Sequence, residues 1–234
     1  MRLDIAIAQS FVAWGRPIVR GELPADGFDR FAAERGWARH CVIETPEARF
    51  EDAAAWLGSL RTAGRLPALG PDLCVESRGP EDALTFLPTL TNAPPGPNGK
   101  AQFDVTFRSG ATRKLDPAGE VALEPAALAL EKVLESLIAL GKRADLGGWL
   151  TNFEGTLAEL HSGPEADWLA VPLTAPPRAR ALAVAATRAD VFGGMGSWND
   201  FWLEDSALEH ERSVCSSALY VAMRDAVRAS ANAC

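Results

Sequence analysis

"QFDVTFRSGATRKLD", Gln102 to Asp116, carries the clearest β signal in the chain. Phe103, Val105 and Phe107 alternate with polar residues, the two-residue period of a strand with one buried face. Ser109-Gly110 has the composition of a tight turn, so the stretch reads as a hairpin. Upstream, "DLCVES" (72–77) and "ALTFLP" (83–88) are two more short strand candidates. Between these and the hairpin lies "TNAPPGPNGK" (91–100), whose prolines and glycines suit an exposed loop or a sub-domain break.

Downstream of the hairpin the pattern changes period. "EPAALALEKVLESLIALGKRA" (124–144) places Leu130, Val133, Leu134, Leu137 and Ile138 on one helical stripe, with Pro125 in the first turn. Gly141, Lys142 and Arg143 look like its stop. "WLTNFEGTLAELH" (149–161), "PPRARALAVAATRADVF" (176–192) and "DSALEHERSVCSSALYVAMRDAVRAS" (205–230) are further helices, the first weakened by Gly155. "ADWLAVPLT" (166–174) suits a strand. Towards the N-terminus, "DGFDRFAAERGW" (26–37) and "RFEDAAAWLGSLRTAG" (49–64) are helical, the second ending at Gly64. "LDIAIAQSFVAW" (3–14) admits both periods: Leu3, Ile5 and Ile7 alternate, while Leu3, Ile7, Phe11 and Trp14 share a helix face. The alternation is taken as a strand.

Strands before helices, without βαβ alternation, give an α+β class. The expectation is a small antiparallel or mixed sheet from the N-terminal half packed against a helix-rich C-terminal half, with the 124–143 helix lying on the sheet. The chain of 234 residues is read as one domain with a possible break at 91–100. Its 47% apolar and 23% charged residues suit an ordered globular protein. No apolar run is long enough to span a membrane, and Asp4 interrupts the only N-terminal candidate for a leader. A cytoplasmic protein is expected. Arginine far outnumbers lysine, a bias common in GC-rich bacterial genomes. Cys41, Cys74, Cys215 and Cys234 form no CxxC and read as buried thiols.

Charge is uneven. The net charge is −8, and residues 145–211 alone hold eleven acids against three bases, Arg178, Arg180 and Arg188. That field repels phosphate backbones, so nucleic acid is not an expected partner, and it attracts a basic protein.

The least ordinary passage is "VFGGMGSWNDFW" (191–202). Gly193, Gly194, Gly196 and Ser197 read as helix stop, tight turn and helix start, with Gly193 or Gly194 taking the left-handed position. Ser197 and Asp200 resemble a capping box. The P-loop pattern GxxxxGK[ST] is absent, and Ser197 lacks the G-x-S-x-G context of a nucleophile elbow. Beyond the glycines, Trp198, Asp200, Trp202, Glu204 and Asp205 interleave aromatics with acids, the composition of a partner-binding surface with a charged rim. The plainer alternative puts Trp198, Phe201 and Trp202 in the core and leaves the acids as a solvated face.

No metal or cofactor is expected. His40, His161 and His210 are scattered, and Glu159 and His161, two apart on a helix, cannot face one ion. The expected function is therefore a non-catalytic acidic binding protein that engages a basic protein partner, in the manner of an immunity or antidote protein. The rival is a small-molecule enzyme, hydrolase-like, that draws on His161 or His210 and on carboxylates such as Glu154, Glu159, Asp167, Asp200, Glu204 or Asp205. Asn152, an amide near the Glu154 carboxylate, is a further ligand-orienting candidate.

Overall fold

The computed structural model describes residues 3–35, 37–94, 102–116, 120–163, 171–193 and 196–234. The chain is α+β: a six-stranded mixed sheet in the N-terminal half and a helix-rich C-terminal half. It divides into two compact units, with the boundary between Glu120 and Val121. The Pro/Gly run is not that boundary. Residues 95–100 of it lie outside the described residues, and the strands on either side pair with each other at Ala93↔Gln102.

The sheet unit begins with α1 (Leu3–Arg20), a helix where alternation suggested a strand. Ile7, Ala8, Phe11 and Val12 are buried at three- and four-residue spacing, whereas a strand would have turned the neighbours Ile7 and Ala8 to opposite faces. Then come α2 (Gly27–Arg35), β1 (His40–Glu44), β2 (Arg49–Phe50), α3 (Ala53–Thr62) and β3 (Leu66–Leu69). β4 (Val75–Arg78), β5 (Asp82–Ala93) and β6 (Gln102–Lys114) complete the sheet, in the order β2-β1-β6-β5-β4-β3. β1 runs parallel to β6, and every other pair is antiparallel.

Ser109-Gly110 is not a turn. β6 continues through it as one 13-residue strand, and the register against β5 slips by one residue there, from Leu84↔Thr112 to Phe86↔Ser109. The small residues serve a β-bulge, which a strand sequence read without its partner cannot distinguish from a hairpin. The helices cover one sheet face, where Phe11 meets Phe28, Trp56 and Phe107 at ring-centroid distances of 4.9, 5.4 and 4.7 Å. Asp52 caps α3, accepting from the Ala55 N–H at 2.7 Å, and Gly64 follows its end at φ +65°.

The helical unit contains α4 (Leu123–Ala144), α5 (Gly148–Ser162), α6 (Pro177–Arg188) and α7 (Ser206–Asn232). Each packs on the next and α7 closes back on α4. The α4 stripe is buried through Leu130, Leu134, Leu137 and Leu140, with Val133 and Ile138 at its half-buried flanks. Its partners are α5, α6 and α7. Gly141 does not stop α4, which runs on to Ala144 and ends at Asp145 in the left-handed conformation, φ +50°. α6 buries Ala181 through Ala186 without interruption, as a helix enclosed on all sides must. Gly155 is explained by close approach. A Cβ there would stand 2.5 Å from the Arg188 guanidinium, which lies across α5 and pairs with Glu159 at 2.7 Å. Of the expected strand at 166–174, residues 166–170 lie outside the described residues, and 171–174 are not a strand.

Candidate functional site

α6 ends at Arg188 with Ala189 as its cap in the right-handed conformation, several residues before the glycines. Gly193 lacks a positive φ, and Gly194 lies outside the described residues. The residue that needs glycine's freedom is Gly196, at φ +75°. Ser197 and Asp200 form the expected capping box, on a single 3₁₀ turn, Trp198–Asp200. The Asp200 carboxylate accepts from the Gly196 N–H at 2.8 Å and from the Ser197 N–H at 3.3 Å.

That turn drives Trp198 inward. Its side chain is fully buried, in T-shaped contact with Trp149 at 5.4 Å and Phe153 at 5.3 Å, and stacked on Phe201 at 5.8 Å. The indole Nε1–H donates to Ser216 Oγ at 2.6 Å, and the Arg212 guanidinium sits 5.5 Å from the ring. Burying an indole requires a partner for its N–H, and Ser216 supplies one. Trp198 therefore belongs to the core of the helical unit and offers nothing to a partner.

Trp202 does the opposite. It is 73% exposed, and Asp200, Glu204 and Asp205 beside it are exposed as well. Asp205 also caps α7, accepting from the Ala207 and Leu208 N–H groups at 2.9 and 3.0 Å. Glu209 has a different task. It accepts from the Leu203 N–H at 2.9 Å and holds Arg212 through both oxygens at 2.6 and 2.7 Å. Those bonds, Arg212 foremost, pull its carboxyl down to about 2. The Glu209–Arg212 pair clamps the chain between Trp198 and α7.

The half-buried Phe201, which precedes Trp202 in the chain, helps to line an open cleft of about 600 Å³. The other lining residues are Asp145, Leu146, Gly147, Gly148, Trp149 and Asn152. Trp198 backs two of its aromatic members, Trp149 and Phe201, from inside. Asn152, singled out by sequence, lines this cleft. Glu154 instead pairs with Lys142 at 3.5 Å. Asp145 and Trp149 were not singled out, although "DLGGW" (145–149) is a visible signal: two glycines between an acid and an aromatic.

The histidines do not converge. His40 is exposed on β1, His210 is exposed on α7, and His161 on α5 meets Glu131 at 2.9 Å. Glu159 is occupied by Arg188, and Asp167 lies outside the described residues. Among the described residues no three His, Cys, Asp or Glu side chains gather as metal ligands would. All four cysteines are buried and none forms a disulfide. Burial raises each thiol, Cys74 to about 11 and Cys234 to about 12, so they stay protonated at neutral pH. Among the described residues no helix is long and apolar enough to cross a membrane. No protein-family model matches the chain, and no curated protein or solved structure is significantly similar to it.

Proposed function

We propose that this is an acidic binding protein whose helical unit presents Trp202 and its surrounding carboxylates to a basic protein partner. An antidote that covers a basic toxin domain would be one physical form of it. The observation that carries this reading is the exposure of Trp202, 73%, four residues beyond a tryptophan that is fully buried. A large aromatic left in water within a rim of acids is the composition of an interface anchor. The acids add long-range attraction, which raises association rates and fades with salt.

The test must separate charge from capping, because Asp200 and Asp205 each hold backbone N–H groups. Reversal to lysine would destroy those caps, whereas Asp→Asn keeps the acceptor and removes only the charge. A photo-crosslinking residue at the exposed position 206, with Trp202 intact, is placed in extract of the native host and is expected to capture a basic protein. Capture should fall sharply with salt and in the variant carrying Asp200→Asn, Glu204→Gln and Asp205→Asn. No crosslinked product, or one indifferent to those charges, would overturn the reading.

A further inference from the structure

The cleft lined by Phe201 and Trp149 has the composition of a site for one particular side chain. Two of its members are aromatic, Trp149 and Phe201, each fixed by contact with the buried Trp198. Its polar members include the Asp145 carboxyl and the Asn152 amide. The Asn152 Nδ2 points at the Arg188 carbonyl, 3.5 Å away, which leaves the oxygen of the amide as the acceptor. Aromatic faces with acceptors suit a planar cation better than an ammonium, since a guanidinium stacks on rings and forks onto a carboxylate at once. The volume, about 600 Å³, exceeds one side chain and leaves room for the peptide that bears it.

An anion is the competing occupant, because the N-terminus of α5 at Gly148 carries partial positive charge. Asp145 precedes that terminus, however, and residues 145–211 carry eleven acids against three bases. Two of those bases are already paired, Arg178 with Glu124 and Arg188 with Glu159. The surroundings repel a second anion and draw a cation.

We infer that this cleft seats one arginine side chain of the basic partner, its guanidinium against the Trp149 and Phe201 rings and bonded to the Asp145 carboxylate. The inference rests on the basic-partner reading above and names the residue that anchors it.

A titration of the full chain with Nα-acetyl-arginine amide tests it, followed by the indole N–H signals in two-dimensional NMR. The Trp149 signal is assigned by its loss in Trp149→Phe. Saturable movement of that signal is expected with the arginine probe, and markedly less with the lysine and glutamate counterparts. Asp145→Asn keeps a residue that tolerates the left-handed backbone, and it should weaken the arginine probe by about two- to fivefold. A static Trp149 signal, an equal response to the glutamate or lysine probe, or unchanged affinity in Asp145→Asn would each overturn the assignment. Such a failure would leave the Trp202 surface standing, since crosslinking at position 206 does not depend on the cleft. Loss of charge-dependent crosslinking with the arginine response intact would sink the broader reading alone.

Discussion

The sheet unit closes many of its charges on one another, whereas the helical unit pairs Glu154, Glu159, Glu209 and Glu211 with cations but ties Asp200 and Asp205, on either side of Trp202, to backbone and leaves their charge facing water. In the first, Glu76 is fully buried and takes bonds from Arg78 at 2.7 Å and from Arg113 at 2.9 and 3.0 Å. Arg65–Asp82, Arg39–Asp104 and the Arg49–Glu44–Arg108 chain continue the pairing along the strands. In the second, Asp200 and Asp205 spend their oxygens on N–H groups at turn and helix starts. A carboxylate bonded to a neutral N–H group leaves its negative charge uncompensated, while in an arginine pair the two charges cancel at a distance. The aromatics divide the same way. Phe11, Trp56, Phe86 and Phe107 are all enclosed, but the cluster around Trp198 extends through Phe201 to the exposed Trp202. The proposed partner surface draws on this difference, because the exposed tryptophan and the acids beside it both lie in the helical unit.

The strongest way to break this contrast is to remove its hub. Trp198→Ala deletes a fully buried indole with contacts to α5 and α7, and should cost about 3–5 kcal/mol in chemical denaturation. A cost below about 1 kcal/mol, the level of an ordinary surface change, would mean that Trp198 is not the core of the helical unit. The matching lesion in the sheet unit is Glu76→Ala, which strips Arg113 of its carboxylate and leaves Arg78 only the carboxylate of the exposed Glu120. Because Arg113 is a third exposed and can rehydrate, about 3 kcal/mol is expected, the low end for a broken buried pair. If this variant unfolds at the wild-type denaturant concentration, the charge network is ornament.

A smaller effect sharpens the comparison through pH. The Glu209 carboxyl is lowered from 4.5 to about 2 by Arg212 and the Leu203 N–H. A depressed folded-state value stabilises above the unfolded value and loses that contribution as pH falls towards 2. The stability gap between wild type and Glu209→Gln should therefore be widest above pH 4.5 and close steadily below it. A gap independent of pH would show that the Glu209–Arg212 clamp does not act through charge.

The periodic elements were legible in the sequence because their signals are local. The stripe of α4, the start of α7 at Asp205 and the capping box of Ser197 and Asp200 each lie within a few residues. What failed depended on partners distant in the chain. Ser109-Gly110 has turn composition, and only its pairing with Leu84 to Phe86 makes it a bulge. Gly155 looks like a weak point until Arg188 is laid across it. The N-terminal segment satisfies both periods, and burial of Phe11 against Phe28 and Phe107 decides for the helix. At the site, composition found the acidic aromatic stretch but could not tell the inward Trp198 from the outward Trp202. That distinction comes from the direction of one 3₁₀ turn, and the cleft lined by Asp145 and Trp149 follows from where Trp198 lands.

The most direct measurement is partner capture by the Trp202→Ala chain, with its melting temperature recorded alongside. An exposed side chain contributes little to folding, so the change in stability should stay within about 0.5 kcal/mol. An interface anchor contributes heavily to binding, so capture of the basic partner should fall by at least about thirtyfold, the loss of about 2 kcal/mol typical of a hot spot. Unchanged capture, at any melting temperature, would contradict the account and leave Trp202 an exposed aromatic without a role.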